Sequence, residues 1–327
     1  MIPSAALVSR HPVRERDPRP DPGPRLETVY RPRRELDLYA TVAGLQRGPG
    51  DPAQAWEGER IWRATRTPQG VATTVLRQSA DGSVRAAAWG PGREWAIAQV
   101  PALCGATDDD AGFDPSPHPL LRETHRRRHG LRLGRGDVLF DALAQSVTEQ
   151  KVTLQQAFGA WRRLVAWFGD RAPGPTPRPM FAPPSIDGWR GIPSWAWHRA
   201  GLEPPQSRAI VEAARRGESL VRAVEAAADG PGRDAVLTSV RGIGVWTASE
   251  TRIRALGDPD AVSVGDFHLA HQVGYALTGS RVDDDGMLEL LAPWAGHRQR
   301  VIRLILASGV REPRRAPRLH PEDHRSR

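Results

Sequence analysis

Between positions 137 and 169 apolar side chains recur three or four residues apart: Leu139, Leu143 and Val147, then Leu154, Phe158, Trp161, Val165 and Phe168. That spacing lines one face of a helix, and it predicts a long amphipathic helix or a pair of helices with a bend near Gln150. Upstream the pattern differs. From Thr28 to about Gly105, segments such as RIWRATRTP, VATTVLRQ and VRAAAWG are short, partly alternating and broken by Gly, Pro and Asp. They predict antiparallel strands, with Asp81-Gly82 as the turn between the second and third segments. Downstream, helical periodicity returns at about 205–216, 218–228, 233–240, 245–256, 266–278, 284–292 and 295–309. The stretch 170–188 carries six prolines and is expected to be loop, and the acidic, turn-rich 106–119 reads as a linker.

These patterns give an α+β chain: a small antiparallel β-rich domain over 25–110, then an all-α domain over 111–312. Residues 1–24 mix Pro, Arg and Asp without periodicity and are expected to form a disordered leader, and 313–327 a flexible basic tail. No segment repeats at a fixed period.

Charge adds a partner class. Lys and Arg number 46 against 38 Asp and Glu, a net charge of +8, which favours a polyanion such as nucleic acid. Lys151 is the only lysine. The single cysteine, Cys104, excludes an intrachain disulfide and any four-cysteine metal site. No run approaches the roughly 18 apolar residues of a membrane span, so no membrane partner and a cytoplasmic, nucleoid-associated location are expected.

Candidate chemistry is concentrated in LTSVRGIGVWTASETRIRALGDPDAVSVGDFH, residues 237–268. Two helical segments flank Arg241-Gly242-Ile243-Gly244-Val245, which predicts a tight hairpin between helices. The first amides of the second helix, Gly244 to Thr247, then point outward and suit a phosphate. A plain turn between helices is the competing reading. A dinucleotide fingerprint is excluded, because its third glycine position holds Thr247. Asp266 stands before FHLAHQVGYAL, where it caps a helix, does chemistry, or both.

VRGIGVWTA, a helix and then DPDAVSVGDFHLA together resemble the signature of the helix–hairpin–helix DNA glycosylases, most of all the bacterial 3-methyladenine DNA glycosylase II type. The segment around EQKVT, Glu149 to Thr153, resembles a conserved helix core of that family, and the β-rich N-terminal half fits its accessory domain. The resemblance implies a helix–hairpin–helix glycosylase domain acting on duplex DNA that contains a damaged base.

Residue by residue, the resemblance puts Asp266 at the catalytic aspartate, whose carboxylate stabilises an oxocarbenium-like sugar. Trp246 falls where members with lyase activity carry a Schiff-base lysine, so water-using, monofunctional excision is implied. Its indole either stacks on a flipped, cationic alkylated purine or anchors the core. Glu250, one turn on, replaces an aromatic of the base pocket, and Phe267, Trp195 and Trp197 are further pocket candidates. Gly242, Gly244 and Thr247 would bind DNA through the hairpin. Lys151, or its neighbour Gln150, would fill the gap left by the flipped base. The family's hairpin also binds a monovalent cation, here through the carbonyls of Thr238, Val240 and Ile243, with no cofactor required for catalysis. A monomer is expected. The alternatives are a non-catalytic helix–hairpin–helix DNA-binding protein and an unrelated helical scaffold.

Overall fold

The computed structural model describes residues 23–313. The expected leader and tail therefore lie outside the described residues, save for Gly23, Pro24 and Pro313. Five strands, β1 Leu26–Tyr30, β2 Gln54–Glu57, β3 Arg60–Thr67, β4 Gly70–Gln78 and β5 Val84–Trp89, form one antiparallel sheet in the order β1-β5-β4-β3-β2. The Asp81-Gly82 turn stands where the sequence puts it: Gly82 has φ +80° and its amide donates to the Ser79 carbonyl. Short helices α1 Leu38–Val42, α2 Arg93–Ala98 and α3 Val100–Leu103 accompany the sheet. Leu38, Val42, Val100, Leu103 and the buried Cys104 pack with Ile61, Leu76, Val84 and Ala86 of the sheet into one core.

The helical part runs α4 Pro119–Arg127, α5 Leu139–Thr148, α6 Leu154–Phe168, α7 Ile186–Arg190, α8 Ser194–Ala200, α9 Pro204–Arg216, α10 Glu218–Ala226, α11 Gly230–Thr238, α12 Val245–Leu256, α13 Leu269–Thr278, α14 Asp284–Leu291 and α15 Arg298–Ala307. The predicted bend near Gln150 is a true break. Lys151 there takes φ +54°, and α6 restarts on a capping box in which Thr153 and Gln156 exchange side-chain-to-backbone bonds.

Two separate cores hold these helices. One gathers α5 to α12 around the stacked indoles of Trp161, Trp189 and Trp197. The other packs Leu121 of α4 with residues of α13, α14 and α15, among them Val273, Met287, Leu291, Val301 and Ile305. The carboxylate candidate Asp266 precedes the second group, whereas the hairpin belongs to the first.

The segment 170–188 is more than loop. Asp170–Arg171 (β6) pairs with Phe181–Ala182 (β7), α7 begins at Ile186, and Ala172, Met180 and Ala182 are buried against Trp62 and Trp89 of the sheet. The prolines prevent a helix or a long ladder, but they let the chain lie flat on a hydrophobic face.

Candidate nucleic-acid interface and catalytic carboxylate

Gly242 takes φ +91°, and a Cβ there would stand 2.8 Å from Cβ of Ala209, so both backbone and space demand glycine. Gly244 differs: at φ −99° it is the N-cap of α12, without a side-chain cap, and a Cβ would meet nothing within 4 Å. Its lack of a side chain leaves the helix end open from outside. The first turn of α12 closes with the Ala248 amide donating to the Gly244 carbonyl at 3.0 Å, so the expected phosphate-binding amides stand at an exposed helix start.

Gln150 ties the bend between α5 and α6 to this hairpin. Its Nε2 donates to the Gly242 carbonyl and to Thr247 Oγ1, both at 2.9 Å. The clamp bears on two expectations. Thr247 is only 2% exposed and its hydroxyl is taken up by Gln150, so the expected contact with DNA falls to its backbone amide. Gln150 has its amide turned inward, which leaves the exposed Lys151 at the tip of the bend.

Asp266 is half-buried and its carboxylate is fixed by three N–H donors. Oδ1 accepts from the backbone of His268 at 2.9 Å and Leu269 at 3.0 Å, and Oδ2 accepts from the Trp246 indole Nε1 at 3.1 Å. Asp266 therefore shapes the approach to α13, which begins at Leu269 rather than at 266. The indole bond joins the hairpin helix of one core to the loop leading into the other. Trp246 itself is half-buried, neither wholly core nor free. Next to it in sequence, Val245 is 58% exposed, and Phe267 beside Asp266 is 77% exposed.

The loop ahead of Asp266 is pinned at each residue. The Ser263 carbonyl accepts the Asp266 amide at 3.2 Å, and Gly265, at φ +85°, donates its amide to Asp284 Oδ2 at 3.0 Å. Ser263 Oγ donates to Glu250 Oε1 at 2.5 Å. Glu250 pairs in turn with Arg254 at 2.6 Å, so it is not the open pocket wall expected from its helix position.

Trp197 is corrected from pocket to core. It is 3% exposed, stacks on Trp189 at 5.9 Å and donates its indole N–H to the Ile192 carbonyl. Trp195, on the same helix, is 48% exposed, with no contact to Trp246 or Asp266 among the described interactions. Two residues apart, they face different sides of α8, and the sequence does not say which side is covered.

Sequence reasoning missed a run of buried charges. Arg47 Nη1 pairs with Glu149 Oε1 at 2.8 Å, and Glu149 Oε2 with Arg254 Nη2 at 2.6 Å. Burial works against the Glu149 charge, but Arg254 and Arg47 outweigh it and hold the carboxyl below the usual range. Arg252 binds Asp234 through two bonds of 2.9 Å and also reaches Asp258, whose Oδ1 accepts the amides of Asp260 and Ala261. No motif signals pairs more than a hundred residues apart, such as Arg47 with Glu149.

At the proposed cation position, the Val240 carbonyl accepts the Ile243 amide at 3.1 Å, which leaves it one lone pair. The Thr238 carbonyl closes α11, where the last carbonyls lack helical partners. Backbone oxygens of this kind suit a hard cation. A concavity of about 910 Å³ lies elsewhere, on the sheet between Val29, Trp62, Val75 and Trp89. Two of its rim carboxylates, Glu27 and Glu57, are paired with Arg25 and Arg60.

No family model matches the sequence. A DNA-3-methyladenine glycosylase of Bacillus subtilis (strain 168) is 28% identical over 193 residues, covering 54% of this chain and 59% of the relative. The chain thus spans about three fifths of the length of the curated relative it matches. Among solved structures, a 3-methyladenine DNA glycosylase from Archaeoglobus fulgidus superposes with a TM-score of 0.73 at 18% identity, covering 86% of this chain and 98% of the other. The apo form of a Clostridium acetobutylicum 8-oxoguanine glycosylase/lyase superposes with a TM-score of 0.67 at 11% identity, covering 86% and 96%. In fold this chain is similar to these two DNA glycosylases, and in sequence it is similar to the DNA-3-methyladenine glycosylase of Bacillus subtilis.

Proposed function

We propose that the protein is a monofunctional DNA glycosylase of base excision repair that removes alkylated purines, of the 3-methyladenine and 7-methylguanine class, from duplex DNA. The observation that carries this reading is the Trp246–Asp266 pair: an indole and a carboxylate joined at 3.1 Å beside the hairpin. The start of α12 binds a backbone phosphate through its free amides and dipole. Lys151 enters the base stack, its methylene stem filling the gap and its ammonium meeting a phosphate. The flipped nucleotide lies against Trp246, with Phe267 at the rim, and an alkylated base brings a positive charge that an indole face attracts by about 0.5–2 kcal/mol.

As the C1′–N bond breaks, its electron pair leaves with the base and positive charge builds on the sugar. The Asp266 carboxylate, held by three donors, meets that charge without having to reorient. Water then forms the C1′–O bond and loses a proton. Position 246 offers no amine, so hydrolysis rather than Schiff-base chemistry follows. A monovalent cation held by the carbonyls of Thr238, Val240 and Ile243 would bridge the hairpin to a phosphate and has no part in bond breaking. The protein acts as a monomer on nucleoid DNA.

Base release from duplexes carrying 7-methylguanine or 3-methyladenine tests the reading. The wild type should release base, and Asp266→Asn should lose at least about a hundredfold in rate with DNA affinity kept. Equal rates would remove Asp266 from the chemistry. Salt-sensitive DNA binding without any release would favour a non-catalytic binding protein. Borohydride should trap no covalent adduct on abasic DNA; a trapped adduct would contradict hydrolysis without lyase activity.

A further inference from the structure

Glu250 lies 19% exposed on α12, one turn after Trp246, and both its oxygens are engaged: Oε1 by Ser263 Oγ at 2.5 Å and Oε2 by Arg254 Nη2 at 2.6 Å. Ser263, 2% exposed, gives its carbonyl to the amide of Asp266 at 3.2 Å. In the other direction Arg254 joins Glu149 at 2.6 Å, and Glu149 immediately precedes Gln150 and Lys151 at the bend. Charges alternate along this line: Arg47, Glu149, Arg254, Glu250. A Glu250 that swung out to touch a flipped base would leave the guanidinium of Arg254, 8% exposed, short of one partner and Ser263 without an acceptor. Such uncompensated buried groups are costly.

We propose that Glu250 is a positioning residue: through Ser263 it holds the loop that carries Asp266, and through Arg254 and Glu149 it makes that loop and the insertion bend one mechanical unit. The inference rests on Asp266 being the catalytic carboxylate. It assigns Glu250 no contact with the base. The two loops come from different cores, and among the described residues this line of pairs and the Gln150 clamp supply the polar continuity between the bend and α12. Insertion of Lys151 into DNA therefore acts on a frame that already fixes Asp266, rather than on a free loop.

The test compares Glu250→Ala, Glu250→Gln, Ser263→Ala and the double Glu250→Ala/Ser263→Ala variant with the wild type in two measurements. The first needs no activity. The Trp246 indole N–H, which donates to Asp266, is identified in a ¹H–¹⁵N spectrum by its loss in Trp246→Phe, and its hydrogen exchange is followed. Exchange should accelerate about tenfold in Glu250→Ala and in Ser263→Ala, and less in Glu250→Gln, which keeps an acceptor for Ser263. The second is the single-turnover rate of base release at saturating protein. It should fall about tenfold in each alanine variant with DNA affinity little changed, and the double variant should be no slower than Glu250→Ala. Unchanged exchange in both alanine variants would overturn the proposal. So would a slow Glu250→Ala beside a Ser263→Ala of wild-type rate, which would mean that Glu250 acts on the base directly. Faster exchange in a protein whose wild type releases no base would uphold the positioning role and sink the glycosylase reading alone. Ser263→Ala removes one hydroxyl, so it remains informative if Glu250→Ala fails to fold.

Discussion

The seam between the sheet and the helices and the seam between the two helical cores are built from the same kinds of residue, yet only one of them is closed. At the first, Arg47 pairs with Glu149, Asp51 accepts the indole N–H of Trp161 at 3.1 Å, and Asp141 lies beside a cavity of about 30 Å³, room for a single water. Arg254 also lines that cavity. At the second, Asp266 and Trp246 are half-buried, and Phe267 and Val245 present apolar surface outward. At the closed seam a carboxylate is matched by a guanidinium, as Glu149 is, held by N–H donors away from solvent, as Asp51 is, or kept protonated by burial, as Asp141 is. At the open seam Asp266 is likewise oriented by N–H donors but stays half-buried, within reach of a charged reaction centre.

Breaking the closed seam has the largest expected effect. Glu149→Gln leaves Arg47 and Arg254 facing each other in a buried setting and should cost about 3–5 kcal/mol in a urea titration. Because Arg254 also holds Glu250, the same change should slow base release beyond what lost stability explains. A smaller effect, with a defined pH signature, is expected at Asp141. Burial pushes its carboxyl up from 3.8 to about 7, despite Arg66 and Arg63. Between those values the folded state keeps a proton that the unfolded state has lost, so stability falls as pH rises from about 4 to about 7 and levels off above. Asp141→Asn should flatten that fall, leaving the variant about 2–4 kcal/mol more stable than the wild type at pH 8, as read from melts across the range. A steeper fall in the variant would mean that Asp141 is paired in its charged form.

The open seam should respond more weakly in stability and more strongly in binding. Gly242→Ala forces a left-handed backbone and a 2.8 Å contact with Ala209, so it should destabilise by about 1–3 kcal/mol. Gly244→Ala meets nothing within 4 Å and should change stability by less than about 0.5 kcal/mol. Its effect should appear in DNA affinity, as a loss of roughly threefold to tenfold in a salt-controlled binding titration. If Gly244→Ala instead lowers stability while the folded protein binds DNA as tightly as the wild type, the hairpin glycines serve folding alone.

How far the sequence could be read follows from how local each feature is. The hairpin glycines, Trp246 and Asp266 fall within one short stretch, and the structure brings the last two into contact. The helix break near Gln150 also shows in the apolar spacing, although the inward turn of the Gln150 amide does not. Trp195 and Trp197 are two residues apart on one helix, and periodicity alone cannot tell which meets the tryptophan stack. The proline-rich 170–188 segment was legible as a barrier to helix but not as a cover for Trp62 and Trp89, since that depends on a sheet a hundred residues earlier. The buried ion pairs are the extreme case. Arg47 and Arg254 look like any of the chain's many arginines until the fold brings Glu149 between them.

The inward-turned Gln150 leaves Lys151 as the exposed end of the bend, and it is the chain's one lysine. Apart from the α-amine, an amine-reactive dye therefore has a single attachment point, and that point is the proposed insertion tip. This chain thus carries its own labelling handle: without any substitution, a fluorophore there would report each encounter with DNA as a change in quenching by neighbouring bases.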